Sequence, residues 1–143
     1  MNARELLTSR PGVLQMTEAG RARMTISCRD CESIPKVHNA GEIIERDGNR
    51  VQVMHNGNVV LADCYYGGWM TSIISSLHGH HEPQEEKVFH AVLDTLKPGA
   101  SMIELGCFWA YYSLWFNTAI PNSRNICCEP DTRNIEVGKK TRS

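Results

Sequence analysis

Met102-Ile103-Glu104-Leu105-Gly106-Cys107-Phe108-Trp109-Ala110-Tyr111-Tyr112-Ser113 reads as strand, turn and helix in one short run. An apolar strand over Ser101 to Leu105 carries an acid near its end. A glycine follows, and Tyr111 to Ala119 then shows the spacing of a helix, with Pro121 beyond it. Asn125 to Cys128 reads as a second strand, Glu129 stands at its end, and a further helix begins at Thr132. Upstream, Glu82-Pro83 opens a helix whose apolar stripe is Val88, Phe89, Val92, Leu93 and Leu96, closed by Lys97-Pro98-Gly99. This helix–strand–helix–strand–helix order predicts two parallel, adjacent strands joined by a crossover helix.

Before that unit the period changes to two. Arg50 to His55 alternates, with polar Gln52 between Val51 and Val53, and Glu42 to Arg46 and Asn58 to Tyr65 read as its flanking strands. Asp47-Gly48 and Asn56-Gly57 separate them as two-residue hairpin turns. The expectation is a three-stranded antiparallel meander, packed near a helix over Trp69 to Leu77. The N-terminal stretch is weakly patterned, with a turn at Pro11-Gly12 and a short helix over Val13 to Met24. The predicted organisation is 1–36 weakly structured or partly helical, 37–80 meander plus helix, and 81–143 the βαβ unit.

Composition narrows the classes. The chain has 143 residues, 41% hydrophobic and 22% charged, which suits a globular fold. A net charge of −1 provides no basic field for nucleic acid. No apolar run approaches the ~20 residues of a membrane helix. The first residues, Met1-Asn2-Ala3-Arg4-Glu5, lack an apolar leader, so the expected compartment is the cytoplasm. The six cysteines then read as reduced thiols, with Cys107 and Cys128 as small buried hydrophobes.

Glu104, Gly106 and Glu129 form the strongest chemical constellation. A glycine before a helix lets the backbone turn tightly and approach a ligand, while the helix start offers free N–H groups. An acid ending the next strand can accept hydrogen bonds from both hydroxyls of a ribose. If the strands are parallel, both acids are expected to face one crevice. Spacing alone leaves open that the two acids merely mark polar strand ends.

Residues across about a third of the chain resemble the FkbM-type family of S-adenosylmethionine-dependent methyltransferases. The matching stretches are Glu82-Pro83, Lys97-Pro98-Gly99, Ile103-Glu104-Leu105-Gly106, Tyr112-Ser113 and Cys128-Glu129-Pro130-Asp131. The resemblance implies a Rossmann-like methyltransferase fold, preceded here by the meander, and O-methylation of a small-molecule or sugar-like acceptor. It implies S-adenosyl-L-methionine as cofactor. The Gly106, Cys107, Phe108 and Ala110 loop would wrap its methionine part, with Glu104 at the strand end. Glu129 would hold the ribose, Pro130 would border the adenine, and Glu82 would stand at the pocket entrance. Phe108 and Ala110 occupy positions where the family often has smaller loop residues and a glycine. Phe108 also stands at the second glycine of Gly-x-Gly-x-x-Gly, which argues against a nicotinamide enzyme. The family's sheet has more parallel strands than the two legible here. The expectation is therefore a truncated form without the acceptor half, inactive alone and self-associating through an open sheet edge. No general base is identified.

Two other classes compete. One is a non-enzymatic interaction module that uses the meander and the aromatics Tyr65, Tyr66, Trp69, Phe108 and Trp109. The other is a metal-dependent enzyme built on His80, His81, Glu85 and His90. His81 with Glu85, and Glu86 with His90, stand four residues apart, which would place each pair on one helix face. Cys28-Arg29-Asp30-Cys31 is half of a zinc ribbon without a second pair.

Overall fold

The computed structural model describes residues 17–141. Pro11-Gly12 and the first part of the Val13–Met24 helix lie outside them. Among the described residues the order is α1 (Glu18–Ile26), β1 (Ile43–Arg46), β2 (Asn49–Val53), β3 (Val59–Leu61), α2 (Gly68–Ser76), α3 (Pro83–Leu93), β4 (Ser101–Leu105), α4 (Tyr111–Ala119), β5 (Arg124–Cys128) and α5 (Thr132–Thr141). The fold is mixed α/β, with an antiparallel sheet β1-β2-β3 and a parallel pair β4-β5. No described helix is long and apolar enough to cross a membrane.

The meander forms where the alternation predicts it. At the first turn Asp47 and Gly48 both take positive φ, the requirement of a two-residue type I′ connection. The second turn differs from the two-residue form expected at Asn56-Gly57. Met54 N donates to Asn58 O at 2.8 Å and Gly57 N to Met54 O at 3.0 Å, within a five-residue connection from Val53 to Val59. The reason is burial. Met54 and His55 are both drawn into the core, and His55 N donates to Gly79 O at 3.0 Å. Gln52 is likewise buried, not outward. Its amide donates to Gly41 O, Thr71 O and Ser75 Oγ, tying β2 to α2.

The core joins all three predicted segments. Ile34, Met54, Ile73, Tyr111, Trp115 and Phe116 belong to one buried cluster. α1 packs on its edge through the partly buried Ala22 and Ile26; Thr17 caps it, its side chain accepting from Gly20 N, and Arg21 lies over the Trp69 ring at 5.4 Å.

Two faces depart in part from expectation. In α3, Val88 and Val92 are exposed, as is Leu96 beyond its end, whereas Pro83, Glu86 and Leu93 are buried and Phe89 packs on the core. Phe89 and Leu93 of the expected stripe do face the core, but the buried Glu86 carboxylate shares that face in place of Val88 and Val92. In the parallel pair, α4 packs against β4 and β5, yet Ile103, Leu105 and Ile126 on the other face are 66%, 79% and 61% exposed. Cys128 shares that bare face and is exposed, not buried; Cys107 is buried, and all six thiols are free.

Candidate functional site

β4 and β5 run parallel, with Leu105 opposite Cys128, so Glu104 and Glu129 come to the same end of the sheet. The connection from β4 to α4 is a compact loop. Gly106 N and Cys107 N both donate to Cys128 O, at 2.7 and 3.3 Å. Gly106, Phe108 and Ala110 each take positive φ. A side chain at Gly106 would meet nothing within 4 Å, because its backbone opens onto free space. Ala110 is small enough for α5 to close on the loop, with Gly138 beside it: a Cβ built there would lie 3.1 Å from Phe108 O.

Glu129 is fixed at the mouth of this loop. Its Oε2 accepts from Phe108 N at 3.0 Å, and Oε1 from Asp131 N at 2.9 Å and Asn134 Nδ2 at 3.3 Å. Those donors, led by the Asp131 amide, hold its carboxyl below the usual carboxylate range. Oε1 is filled by its two donors, whereas Oε2 keeps a lone pair for a further donor. A cavity of about 790 Å³ lies beside it, within the size range of small-molecule and cofactor sites. Of the residues selected from sequence, Gly106, Cys107, Phe108, Ala110, Glu129 and Pro130 line it.

Glu104 and Glu82 line a neighbouring cavity of about 440 Å³, which shares Leu105, Gly106, Cys107 and Phe108 with the first. Glu129 lines the first of these cavities and Glu104 the second. Glu104 points toward α4, where Ala110 cannot cap the helix. Glu104 Oε2 takes that role, accepting from Ser113 N at 3.0 Å and Ser113 Oγ at 2.5 Å. Burial pushes its carboxyl up against these two bonds. Glu82 receives the hydroxyls of Tyr65 and Tyr112, at 3.3 and 3.2 Å.

Behind Glu82 lies a buried polar cluster assembled from distant segments. Glu86, on the first turn of α3, accepts at Oε1 from His81 N at 2.8 Å and Glu82 N at 3.2 Å. His81 Nδ1 is 2.8 Å from the same oxygen, and His81 Nε2 is 3.3 Å from Glu82 Oε2. Glu86 Oε2 faces His80 Nδ1 in close contact and His55 Nδ1 at 4.0 Å. The His55 and His80 rings stack at 4.2 Å, and Tyr111 Oη lies 2.8 Å from His55 Nδ1. Burial opposes the charged form of His81, but its hydrogen bonds to Glu82 and Glu86 prevail and lift it to about 9. Burial, aided by His80, drops His55 to about 3. Burial would raise Glu86, but His80 and His81 hold it well below its usual range.

This is not the metal set expected from spacing. Glu85 is exposed, and His90 stacks on Trp115 instead, at 6.1 Å. His81 precedes α3, so the helical spacing to Glu85 does not apply. The convergent donors are His55, His80 and Glu86, whose ligand atoms all lie within 4.8 Å of one another. His55 was not among the residues singled out. The one local signal was a histidine between Met54 and a turn, a position that gives no reason for burial by itself. Comparison with known protein families, curated proteins and solved structures finds no match.

Proposed function

We propose that the chain binds S-adenosyl-L-methionine in the cavity between Gly106 and Glu129, as part of an O-methyltransferase of the FkbM type. Its acceptor would be a small-molecule or sugar-like hydroxyl. The observation that carries this reading is a fixed carboxylate, Glu129, beside an open glycine loop at the carboxyl ends of two parallel strands. The lining suits the group: Glu129 Oε2 can accept from a ribose hydroxyl, and Ile135 with Phe108 adds apolar surface for a flat ring. When bound, the cofactor supplies an electrophilic methyl group. The chain's own part is positioning. Gly106 lets the ligand approach the backbone, Glu129 sets its register, and the Phe108 ring, 5.1 Å from Tyr65, separates the two cavities.

Isothermal titration with S-adenosylhomocysteine tests the reading. Saturable heat is expected, and Glu129→Ala should weaken binding by about 1–3 kcal/mol, the scale of hydrogen bonds to a charged group. Absence of saturable heat from a folded preparation would overturn it.

A further inference from the structure

We propose that His55, His80 and Glu86 form a buried site for one divalent transition-metal ion, with zinc the best match. Three observations carry it. First, donors from three separate segments converge: the β2–β3 turn, the loop before α3 and α3 itself supply atoms all within 4.8 Å of one another. Two imidazole nitrogens and one carboxylate oxygen are a familiar zinc donor set. Second, the two oxygens of Glu86 are used differently. Oε1 takes the backbone donors of His81 and Glu82 together with the His81 ring. Oε2 lies in close contact with His80 Nδ1, with His55 Nδ1 4.0 Å away. That division is what an outer ring of hydrogen bonds does for a ligating carboxylate: it fixes one oxygen and aims the other. Third, His80 is fully buried with Nδ1 set against Glu86 Oε2, and its Nε2 has no hydrogen-bond partner among the described residues.

The surroundings assign the ion a structural task. His55, His80 and Glu86 are 2%, 0% and 0% exposed, and the hydroxyl beside them belongs to the buried Tyr111. Three protein donors leave a fourth position on the ion, but the site is closed to solvent, so no substrate reaches it. An ion there would clamp the meander to the start of α3. The site lies apart from the Gly106–Glu129 cavity, so it stands or falls independently of cofactor binding.

The test uses the whole chain, stripped with a chelator and then titrated with zinc. Elemental analysis after gel filtration should give about one zinc per chain, and zinc should raise the melting temperature, because it binds the folded form. His55→Gln and His80→Gln should each weaken binding by more than about a hundredfold, while His38→Gln, an exposed control, leaves it unchanged. The double variant Cys28→Ser/Cys31→Ser should also keep the ion, which separates this site from the thiol pair. Should the histidine variants fail to fold, the cobalt-loaded wild-type protein decides. A spectrum free of thiolate charge-transfer bands supports the site, and one dominated by them overturns it. Wild-type protein that takes up no zinc, or whose melting ignores zinc and chelator alike, also overturns it.

Discussion

The antiparallel and parallel sheets are built from similar short, aliphatic strands, yet they end in opposite situations. In β2, Val51, Gln52 and Val53 are all buried, and even the polar residue is hydrogen-bonded inside. In β4 and β5, alternate residues face outward, and Ile103, Leu105 and Ile126 lie bare. Strand composition therefore does not decide burial; what packs on the second face does. The meander half is further fastened by the Glu86 cluster, while the parallel pair relies on α4 and the Glu104 bond to Ser113.

The sharpest way to break this contrast is to remove a carboxylate from each half. Glu86→Ala leaves His80 and His81 buried without their anion, and should cost about 3–5 kcal/mol in urea unfolding. Glu104→Ala removes a helix cap and should cost about 1 kcal/mol. Equal losses would show that the two halves are fastened alike.

Glycines give the next largest difference. A Cβ at Gly79 would sit 2.2 Å from His55 N, at a positive φ, whereas one at Gly99 meets nothing within 4 Å. Gly79→Ala is expected to cost about 3 kcal/mol or more, from overpacking added to backbone strain. Gly99→Ala should cost about 1 kcal/mol, from strain alone. Thermal melts of the pair measure the gap.

The pH profile sharpens the same comparison, read on chelator-treated protein. His81 is raised to about 9, so its contribution is complete below about 6.5 and is lost as pH rises through 9. His55 is depressed to about 3, so its contribution is complete above about 6.5 and is lost as pH falls toward 3. Glu86, also depressed, adds to the acid loss. Stability should therefore peak near about pH 6.5, and His81→Gln should flatten the alkaline limb. A melting temperature constant from about pH 5 to about pH 9 would remove the cluster from the account of stability.

The smallest effect on folding should come from the bare sheet face. Leu105→Lys with Ile126→Lys should change unfolding free energy by less than about 0.5 kcal/mol per site. Sedimentation of the same pair against the unaltered chain tests whether this apolar face supports self-association, and a lower association in the pair is the expected outcome. A large loss of stability would mean that these side chains are packed against something.

Local pattern carried most of the elements. Period two with Asp47-Gly48 fixes the first hairpin, and the apolar runs around Glu104 and Glu129 fix the parallel pair, because these signals act between near neighbours. What stayed hidden depends on distant partners. The burial of Glu86 in α3 rests on imidazole partners that include His55 across the fold, so Val88 and Val92 of the aliphatic stripe mislead. Glu104 and Glu129 were legible as strand-end acids. Their separation into two cavities was not, because it depends on Ala110 failing to cap α4 and Glu104 turning to do so.

The hydrogen bond between Tyr111 and His55 spans 56 positions of chain. Contacts of that separation cost loop-closure entropy before they return any energy, so they set the pace of folding more than its end point. The first hairpin and the helices can form from local contacts, whereas the polar cluster cannot exist until the meander, α3 and α4 have met. It acts as a late latch: by this ordering, weakening it should speed unfolding more than it slows folding.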